Sequence, residues 1–237
     1  MCNQCTQLNR RRFFGLAASG VAAAGMLGMS SRFSPAEAAT SLTPDEALAK
    51  LKAGNAKYVA ASDIIEAEMP KQRASVAKAQ QPWATILGCV DSRTAPELIF
   101  GGTNLGELFV ARNGGNMADQ YTLGAIEYGV EHLGSPLIVV VGHSRCGAVV
   151  AACDVVSKNA KLSGPIKSMV DPIVPAAKAV FGKPGDFVDN AVRENAKRTA
   201  ARMLKTSKII AEHVHHGKLK VVPAYYSLDT GAIEFLA

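Results

Sequence analysis

The sequence predicts an α/β fold with a mostly parallel central sheet and helices on both of its faces. Short apolar runs rich in β-branched residues alternate along the chain with longer helical segments, which is typical of parallel sheets. Two of these runs end in polar stretches, residues 89–93 and 143–147, that contain cysteine, histidine, aspartate and arginine. Because such sheets bind ligands at the carboxyl ends of their strands, we expect the functional site there.

A targeting signal is predicted over residues 1–38. Arg10, Arg11 and Arg12 precede a weakly apolar run rich in Gly and Ala, and a small-x-small cleavage pattern follows at residues 36–38. Paired arginines in this position are typical of a twin-arginine signal; an ordinary secretory signal or an uncleaved anchor is the alternative. We therefore expect an exported, periplasmic protein with a single mature domain over residues 39–237 and no stable membrane span after cleavage.

Two helical segments are predicted before the first strand, as an N-terminal helical extension. Thr43, Pro44 and Glu46 form a capping box with proline at the first helical position, and this helix is expected to end near Ala53, before Gly54. A second segment covers residues 71–79. These helices either cover the sheet or lie on a neighbouring subunit.

The predicted core alternates strands with helices. Strands are expected at residues 84–88, 107–112, 136–142 and 218–226, and helices at 120–133, 147–156, 189–206 and 207–216. A turn at residues 229–231 leads to a C-terminal hairpin strand at 232–236. The segment 158–183 contains several prolines and glycines and is expected to be an irregular connection.

The charge balance argues against a nucleic-acid partner. The chain has 26 basic and 20 acidic residues; four arginines and one glutamate lie in residues 1–38, which leaves 22 basic and 19 acidic residues and a net charge of +3. A mature domain so evenly balanced lacks the basic excess that phosphate backbones attract.

Three cysteines remain after removal of the predicted signal, an odd number that does not suit a disulfide framework. Cys153 lies on a predicted helix and is expected to be a small buried residue. Cys89, His143 and Cys146 follow predicted strands and form the ligand set of a Cys2His zinc site with an open fourth position. The alternative is that the two cysteines are buried small residues and His143 is a core or loop histidine.

The sequence closely resembles the β-class carbonic anhydrases. Their pattern Cys-x-Asp-x-Arg followed by His-x-x-Cys is present as Cys89, Asp91, Arg93, His143 and Cys146. Further matches occur in the correct order at residues 106–113, 125–128, 141–144, 217–219 and 224–226. The resemblance covers roughly residues 43–236, essentially the whole predicted mature chain.

The resemblance implies zinc-dependent, reversible hydration of carbon dioxide to bicarbonate and a proton. It implies Cys89, His143 and Cys146 as the ligands of one zinc ion per chain, and Asp91 with Arg93 as a catalytic dyad that orients a zinc-bound hydroxide. In some members of the family the aspartate occupies the fourth zinc position, so Asp91 is also a candidate metal ligand.

The resemblance also predicts the substrate pocket and a homodimer or higher homo-oligomer. Gln80, Phe109 and Tyr128 match the pocket residues of one subclass. Ile86 occupies the position where the other subclass has a tryptophan beside a regulatory bicarbonate pocket, so that pocket is not expected. The pair Gly114-Gly115 departs from the family, where bulkier residues are common.

Two other functions agree with the same residues. One is hydrolysis of carbon disulfide or carbonyl sulfide by a related zinc enzyme, and the other is a non-catalytic zinc protein, against which the intact Asp91–Arg93 pair argues.

A cluster of histidines near the C-terminus is expected to be solvated at a helix end, with a second metal site or proton relay as the alternative; its members are His213, His215 and His216.

Overall fold

The computed structural model describes residues 40–60 and 69–237, so the predicted signal lies outside the described residues. A five-stranded sheet with the strand order β2-β1-β3-β4-β5 forms the centre of this part of the chain. Neighbouring strands are parallel except β4 and β5, which form the predicted C-terminal hairpin. The strands are β1 (Ala84–Cys89), β2 (Leu108–Asn113), β3 (Leu137–His143), β4 (Lys220–Tyr226) and β5 (Ile233–Phe235).

Helices cover both faces of the sheet, as predicted. They are α1 (Pro44–Val59), α2 (Met69–Val76), α3 (Pro96–Ile99), α4 (Gln120–Glu131), α5 (Gly147–Lys158), α6 (Gly164–Val170), α7 (Val174–Val180), α8 (Phe187–Thr206) and α9 (Lys208–His215). Helices α1 and α3 pack against one face, where Leu51 and Phe100 join Val139 in a buried cluster. On the other face Ile138 packs with residues of α4, α8 and α9, including Met203.

The two strands that end at the candidate site, β1 and β3, are buried at every residue. Alternate residues of β3 enter the clusters on opposite faces, since successive side chains of a strand point to opposite sides. Continuous apolar runs of this kind are typical of parallel strands that helices cover on both sides.

The predicted end of α1 near Ala53 is wrong, because the helix continues to Val59. Gly54 lies against the backbone of Phe100, and an added Cβ there would come within 2.0 Å of the Phe100 carbonyl oxygen. The buried Asn55 side chain donates hydrogen bonds to the carbonyl oxygens of Ile99 and Gly231, at 2.8 and 2.9 Å. The residues that indicated a helix stop therefore serve packing between distant segments.

The predicted irregular connection over residues 158–183 is also wrong, since this segment contains α6 and α7. Pro165 and Pro175 lie in the first turns of these helices, where a missing backbone N–H costs little. The prolines thus begin helices instead of preventing them. None of the described helices is both long and apolar enough to cross a membrane.

Candidate metal centre

Two cysteines and a histidine meet at the carboxyl edge of the sheet. Cys89 ends β1, His143 ends the neighbouring strand β3, and Cys146 is the N-cap of α5. Their candidate ligand atoms all lie within 4.8 Å of one another, and the two sulfur atoms are 3.9 Å apart. All three residues are buried, so the predicted group is formed by adjacent strand ends as expected.

The orientation of His143 suits a metal ligand. Its Nδ1 lies 3.0 Å from the carbonyl oxygen of Ser144, to which an N–H at that position donates. This tautomer leaves a lone pair on Nε2, which is buried and has no hydrogen-bond partner in the described part of the chain. An imidazole fixed through one nitrogen and open at the other is the usual arrangement in metal sites.

The two thiols suit a cation in the same way. The sulfur atoms of Cys89 and Cys146 lie within hydrogen-bond distance, and this contact is the main cause that lowers the pKa of Cys89. The same contact, followed by burial, raises the pKa of Cys146. A divalent cation replaces the proton of such a contact and holds both groups as thiolates. Together with the unpaired lone pair on His143 Nε2, the donor set therefore fits zinc.

Asp91 lies beside this group and is held by Arg93. The Arg93 side chain donates to both carboxylate oxygens, through Nε to Oδ1 at 2.9 Å and through Nη2 to Oδ2 at 2.7 Å, and its backbone N–H also donates to Oδ1. These side-chain hydrogen bonds hold the pKa of Asp91 well below its usual range. Asp91 Oδ2 is 4.0 Å from His143 Nε2, so an ionised carboxylate faces the ligand group.

Arg112 holds the loop that carries Cys89 and Asp91 by hydrogen bonds, a role that the sequence did not indicate. Its Nε donates to the carbonyl oxygen of Cys89 and its Nη2 to that of Asp91, both at 2.6 Å. Thr94 also donates to the Asp91 carbonyl, at 2.9 Å. The only available signal was an arginine at the carboxyl end of a predicted strand, close to the candidate ligands.

The loop after β2 contacts the other side of Cys89. Gly115 adopts a positive φ of 79°, and its backbone N–H contributes to the lowered pKa of the Cys89 thiol. Asn195, buried on α8, donates through Nδ2 to the Gly115 carbonyl oxygen at 2.9 Å. Asn195 therefore fixes a loop that touches a candidate metal ligand, although it lies 80 residues away in sequence.

The departure at Gly114-Gly115 has a packing explanation. An added Cβ at Gly114 would come within 2.1 Å of Met169 Sδ, and one at Gly115 within 2.5 Å of Ile173 Cδ1. Side chains from α6 and from the turn after it thus occupy the space that bulkier residues at these positions would need.

The predicted pocket residues Gln80, Phe109 and Tyr128 do not surround the metal ligands of the same chain. Phe109 lies four residues before Asn113, the register partner of Cys89, which corresponds to about 13 Å along a strand. The rings of Phe109 and Tyr128 pack together with centroids 6.3 Å apart. Gln80 is exposed and lies beside Gly106, just before β2. Within one chain, Gln80 and Phe109 therefore lie toward the amino end of β2.

The C-terminal histidines form no second metal group among the described residues, where Cys89, His143 and Cys146 are the one set of three candidate ligands. His213 instead pairs with Glu131, with Nε2 and Oε2 2.9 Å apart. The rings of His215 and His216 pack edge to face, with centroids 5.3 Å apart. The interpretation of these residues as an ordinary helix end agrees with this geometry.

A parallel α/β sheet that brings a buried Cys2His group and an ion-paired aspartate to one edge is the arrangement expected of an α/β enzyme with a candidate metal site. The sequence profile of the carbonic anhydrase family matches residues 84–233. The chain therefore belongs to the carbonic anhydrase family, in its β class, and is a carbonic anhydrase enzyme.

Curated relatives and solved structures agree with this placement. The chain is 36% identical over 190 residues to carbonic anhydrase 2 of Mycobacterium tuberculosis, covering 79% of this chain and 90% of the relative. It is 35% identical over 193 residues to the carbonic anhydrase of Mycolicibacterium smegmatis, covering 81% and 92%.

Two solved structures share the fold. A tetrameric β-carbonic anhydrase of Sordaria macrospora matches with a TM-score of 0.62 and 26% identity, over 72% of this chain and 86% of that one. The Coccomyxa β-carbonic anhydrase in complex with acetazolamide matches with a TM-score of 0.62 and 27% identity, over 80% and 84%. The family and the fold together support hydration of carbon dioxide as the reaction.

Proposed function

We propose that the protein hydrates carbon dioxide reversibly to bicarbonate and a proton with one zinc ion per chain, and that Asp91 and Arg93 orient the attacking hydroxide. The observation that carries this proposal is the Asp91–Arg93 ion pair, which places an ionised carboxylate 4.0 Å from the Nε2 atom of His143. A non-catalytic zinc site would not require that carboxylate.

Cys89, His143 and Cys146 would hold the zinc ion, which leaves one coordination position open. When bound at such a site, zinc would lower the pKa of water to about 7 and so supply hydroxide near neutral pH. The remaining chemistry belongs to side chains of this protein.

Asp91 acts as a hydrogen-bond acceptor. Since its pKa lies well below the usual range, it is ionised at neutral pH and cannot itself donate a proton. It can accept the hydrogen bond of the attacking hydroxide and so turn an oxygen lone pair toward carbon dioxide. Arg93 donates a hydrogen bond to each carboxylate oxygen of Asp91. These bonds keep Asp91 ionised and turned away from direct metal coordination.

A second copy of the chain completes the substrate pocket in this proposal. In one chain Phe109 lies about 13 Å along β2 from the register partner of Cys89, and Tyr128 is 47% exposed. Strand β2 is the edge of the sheet, and no described strand pairs with its outer side. A homo-oligomer would bring these residues to the metal centre of its partner, with Gln80 donating to a substrate oxygen and Phe109 providing an apolar wall. The tetrameric relative from Sordaria macrospora supports an oligomeric state.

Export by the twin-arginine route is the second part of the proposal and rests first on the pattern of residues 1–38. Free thiols are at risk in an oxidising compartment unless they are buried or bound to metal. A route that exports folded proteins lets zinc be loaded beforehand in the cytoplasm, so the predicted signal and the thiol-rich centre support each other.

The test combines zinc analysis with turnover. The purified mature form should contain one zinc per chain and hydrate carbon dioxide in a stopped-flow assay. Cys146→Ser should lose most zinc and activity, because a hydroxyl is a poor zinc ligand. Cys153→Ser is the matched control, since Cys153 is also buried but lies outside the ligand group, and it should keep both. Full zinc in Cys146→Ser would refute the ligand assignment, and turnover of carbonyl sulfide without hydration of carbon dioxide would refute the reaction.

A further inference from the structure

A cavity lies between α8 and the stretch from the turn after α6 to the first turn of α7. Its volume is about 330 Å³, at the lower end of the range for small-molecule sites. None of the three metal-ligand candidates lines it. Any occupant would therefore be a ligand separate from the hydration reaction.

Three cations of α8 line this cavity: Arg198, Arg202 and Lys205. They lie three or four residues apart and so share one face of the helix. Arg198 Nε donates to Glu194 at 2.6 Å, whereas Arg202 and Lys205 form no ion pair with any described acidic residue. Like charges at this spacing destabilise a helix, and a bound anion would offset that repulsion.

The rest of the lining is apolar or already hydrogen-bonded. Pro172 and Pro175 form one wall, and Met117 contributes from the loop after β2. Asn195 and Thr199 are buried in the lining and are oriented by hydrogen bonds, to the Gly115 carbonyl at 2.9 Å and to Met117 Sδ at 3.7 Å. Proline rings and fixed polar groups give the cavity a shape that is set before any ligand binds.

We propose that this cavity binds a small organic phosphate, with the phosphate at Arg202 and Lys205 and the organic body against the prolines and Met117. A dianionic group matches two cations without partners, and the guanidinium fork binds phosphate oxygens in pairs. A cavity of about 330 Å³ has room for more than a phosphate group, and an inorganic ion would leave the apolar wall without a contact. A phosphomonoester with a compact apolar body meets both conditions.

Isothermal titration calorimetry at low ionic strength tests this with phenyl phosphate, inorganic phosphate and phenol. We expect phenyl phosphate to bind at one site per chain, inorganic phosphate to bind more weakly, and phenol to give no measurable binding. Arg202→Gln and Lys205→Gln should each weaken phenyl phosphate binding about tenfold, the scale of one lost charge-assisted hydrogen bond. Lys197→Gln is the control, because Lys197 is exposed on the same helix but does not line the cavity.

Several outcomes would overturn the proposal. Equal binding by the parent, Arg202→Gln and Lys205→Gln would place the anion elsewhere, including at the metal. An equal loss in Lys197→Gln would reduce the effect to general attraction by a basic surface. Inorganic phosphate binding as tightly as phenyl phosphate would refute the organic ligand, and no binding by either would refute the site.

Discussion

In the proposed mechanism, the side chains of Asp91 and Arg93 serve the hydration reaction and do not bind the metal. Neither belongs to the group of three candidate ligands, yet the pair lies beside it. Every hydrogen bond to the Asp91 carboxylate oxygens among the described residues comes from Arg93. The state of the carboxylate therefore depends on one arginine.

Replacing either member of this pair should abolish most turnover and leave zinc in place. In Arg93→Ala the carboxylate loses its cation, so it takes up a proton or turns to the metal. In Asp91→Asn the acceptor loses its charge. We expect hydration to fall about 10²-fold or more in both, with one zinc per chain by metal analysis.

The double variant should be little worse than either single variant, because the two residues act as a unit. Glu234→Gln is the matched control, since Glu234 also pairs with an arginine, Arg193, at 2.7 Å, but is exposed on β5 and lies outside the loops that carry the candidate ligands. Near-normal hydration by zinc-loaded Arg93→Ala would make the pair a purely structural ion pair.

The elements around the site act as supports for its loops. Strands β1 and β3 and the N-cap of α5 carry the candidate ligands. Asn195 of α8 holds the Gly115 loop, and Arg112 of β2 holds the Cys89 loop. Such outer contacts orient metal ligands, and their loss in other proteins typically lowers metal affinity or activity about 10- to 100-fold.

Asn195→Ala should weaken zinc binding because the Gly115 carbonyl loses its donor and the loop at the Cys89 sulfur is no longer fixed. Competition with a chelator should show affinity lowered about tenfold or more. Asn190→Ala is the control, since Asn190 is also on α8 and donates to a carbonyl oxygen, that of Pro184, far from this loop. If both variants bind zinc as tightly as the parent, Asn195 supports the fold alone.

At the scale of the whole molecule, the proposal requires that each active site contain the metal ligands of one chain and the pocket residues of another. Complementation tests this by mixing Cys146→Ser, which lacks a metal ligand, with Phe109→Ala, which lacks a pocket wall. Each alone should be nearly inactive. In a mixed oligomer, the Phe109→Ala chain supplies the metal centre and the Cys146→Ser chain supplies the intact pocket.

After subunit exchange, about a quarter of the sites should be complete if the subunits pair at random across a two-fold interface. Mixing Cys146→Ser with Asp91→Asn is the control, because both changes affect the metal centre. In that pair no site regains both a full ligand set and the carboxylate. Absence of recovery in the first mixture, with exchange shown by tagged chains, would mean that each chain uses its own pocket residues.

The export proposal also belongs to the whole chain. Replacing Arg11 and Arg12 by lysine should retain the precursor in the cytoplasm, because the arginine pair is what the twin-arginine receptor reads. Fractionation and immunoblotting measure the distribution, and lysine at Arg32, which lies after the apolar run, is the control. Normal export of the double-lysine variant would indicate a general secretory signal instead.

The sequence by itself determined the sheet and the ligand set. Buried parallel strands need continuous apolar runs, and the loops at their ends held Cys89, Asp91, Arg93, His143 and Cys146 within two short motifs. Both signals are local, so the strands, the C-terminal hairpin and the candidate metal group could be predicted without knowledge of distant contacts. The family resemblance added roles to these residues that their spacing alone left open.

Only the tertiary structure decided which residues support the site and where α1 ends. Asn55 acts through Gly231, and Asn195 through Gly115, across 176 and 80 residues of sequence. No local pattern marks a hydrogen bond between segments so far apart, because its free energy depends on burial that exists only after the chain has packed. The family resemblance indicated Gln80, Phe109 and Tyr128 as pocket residues. Only the register of β2 showed that one chain does not place Phe109 beside its own metal ligands, because register is a property of the paired strands and not of one segment.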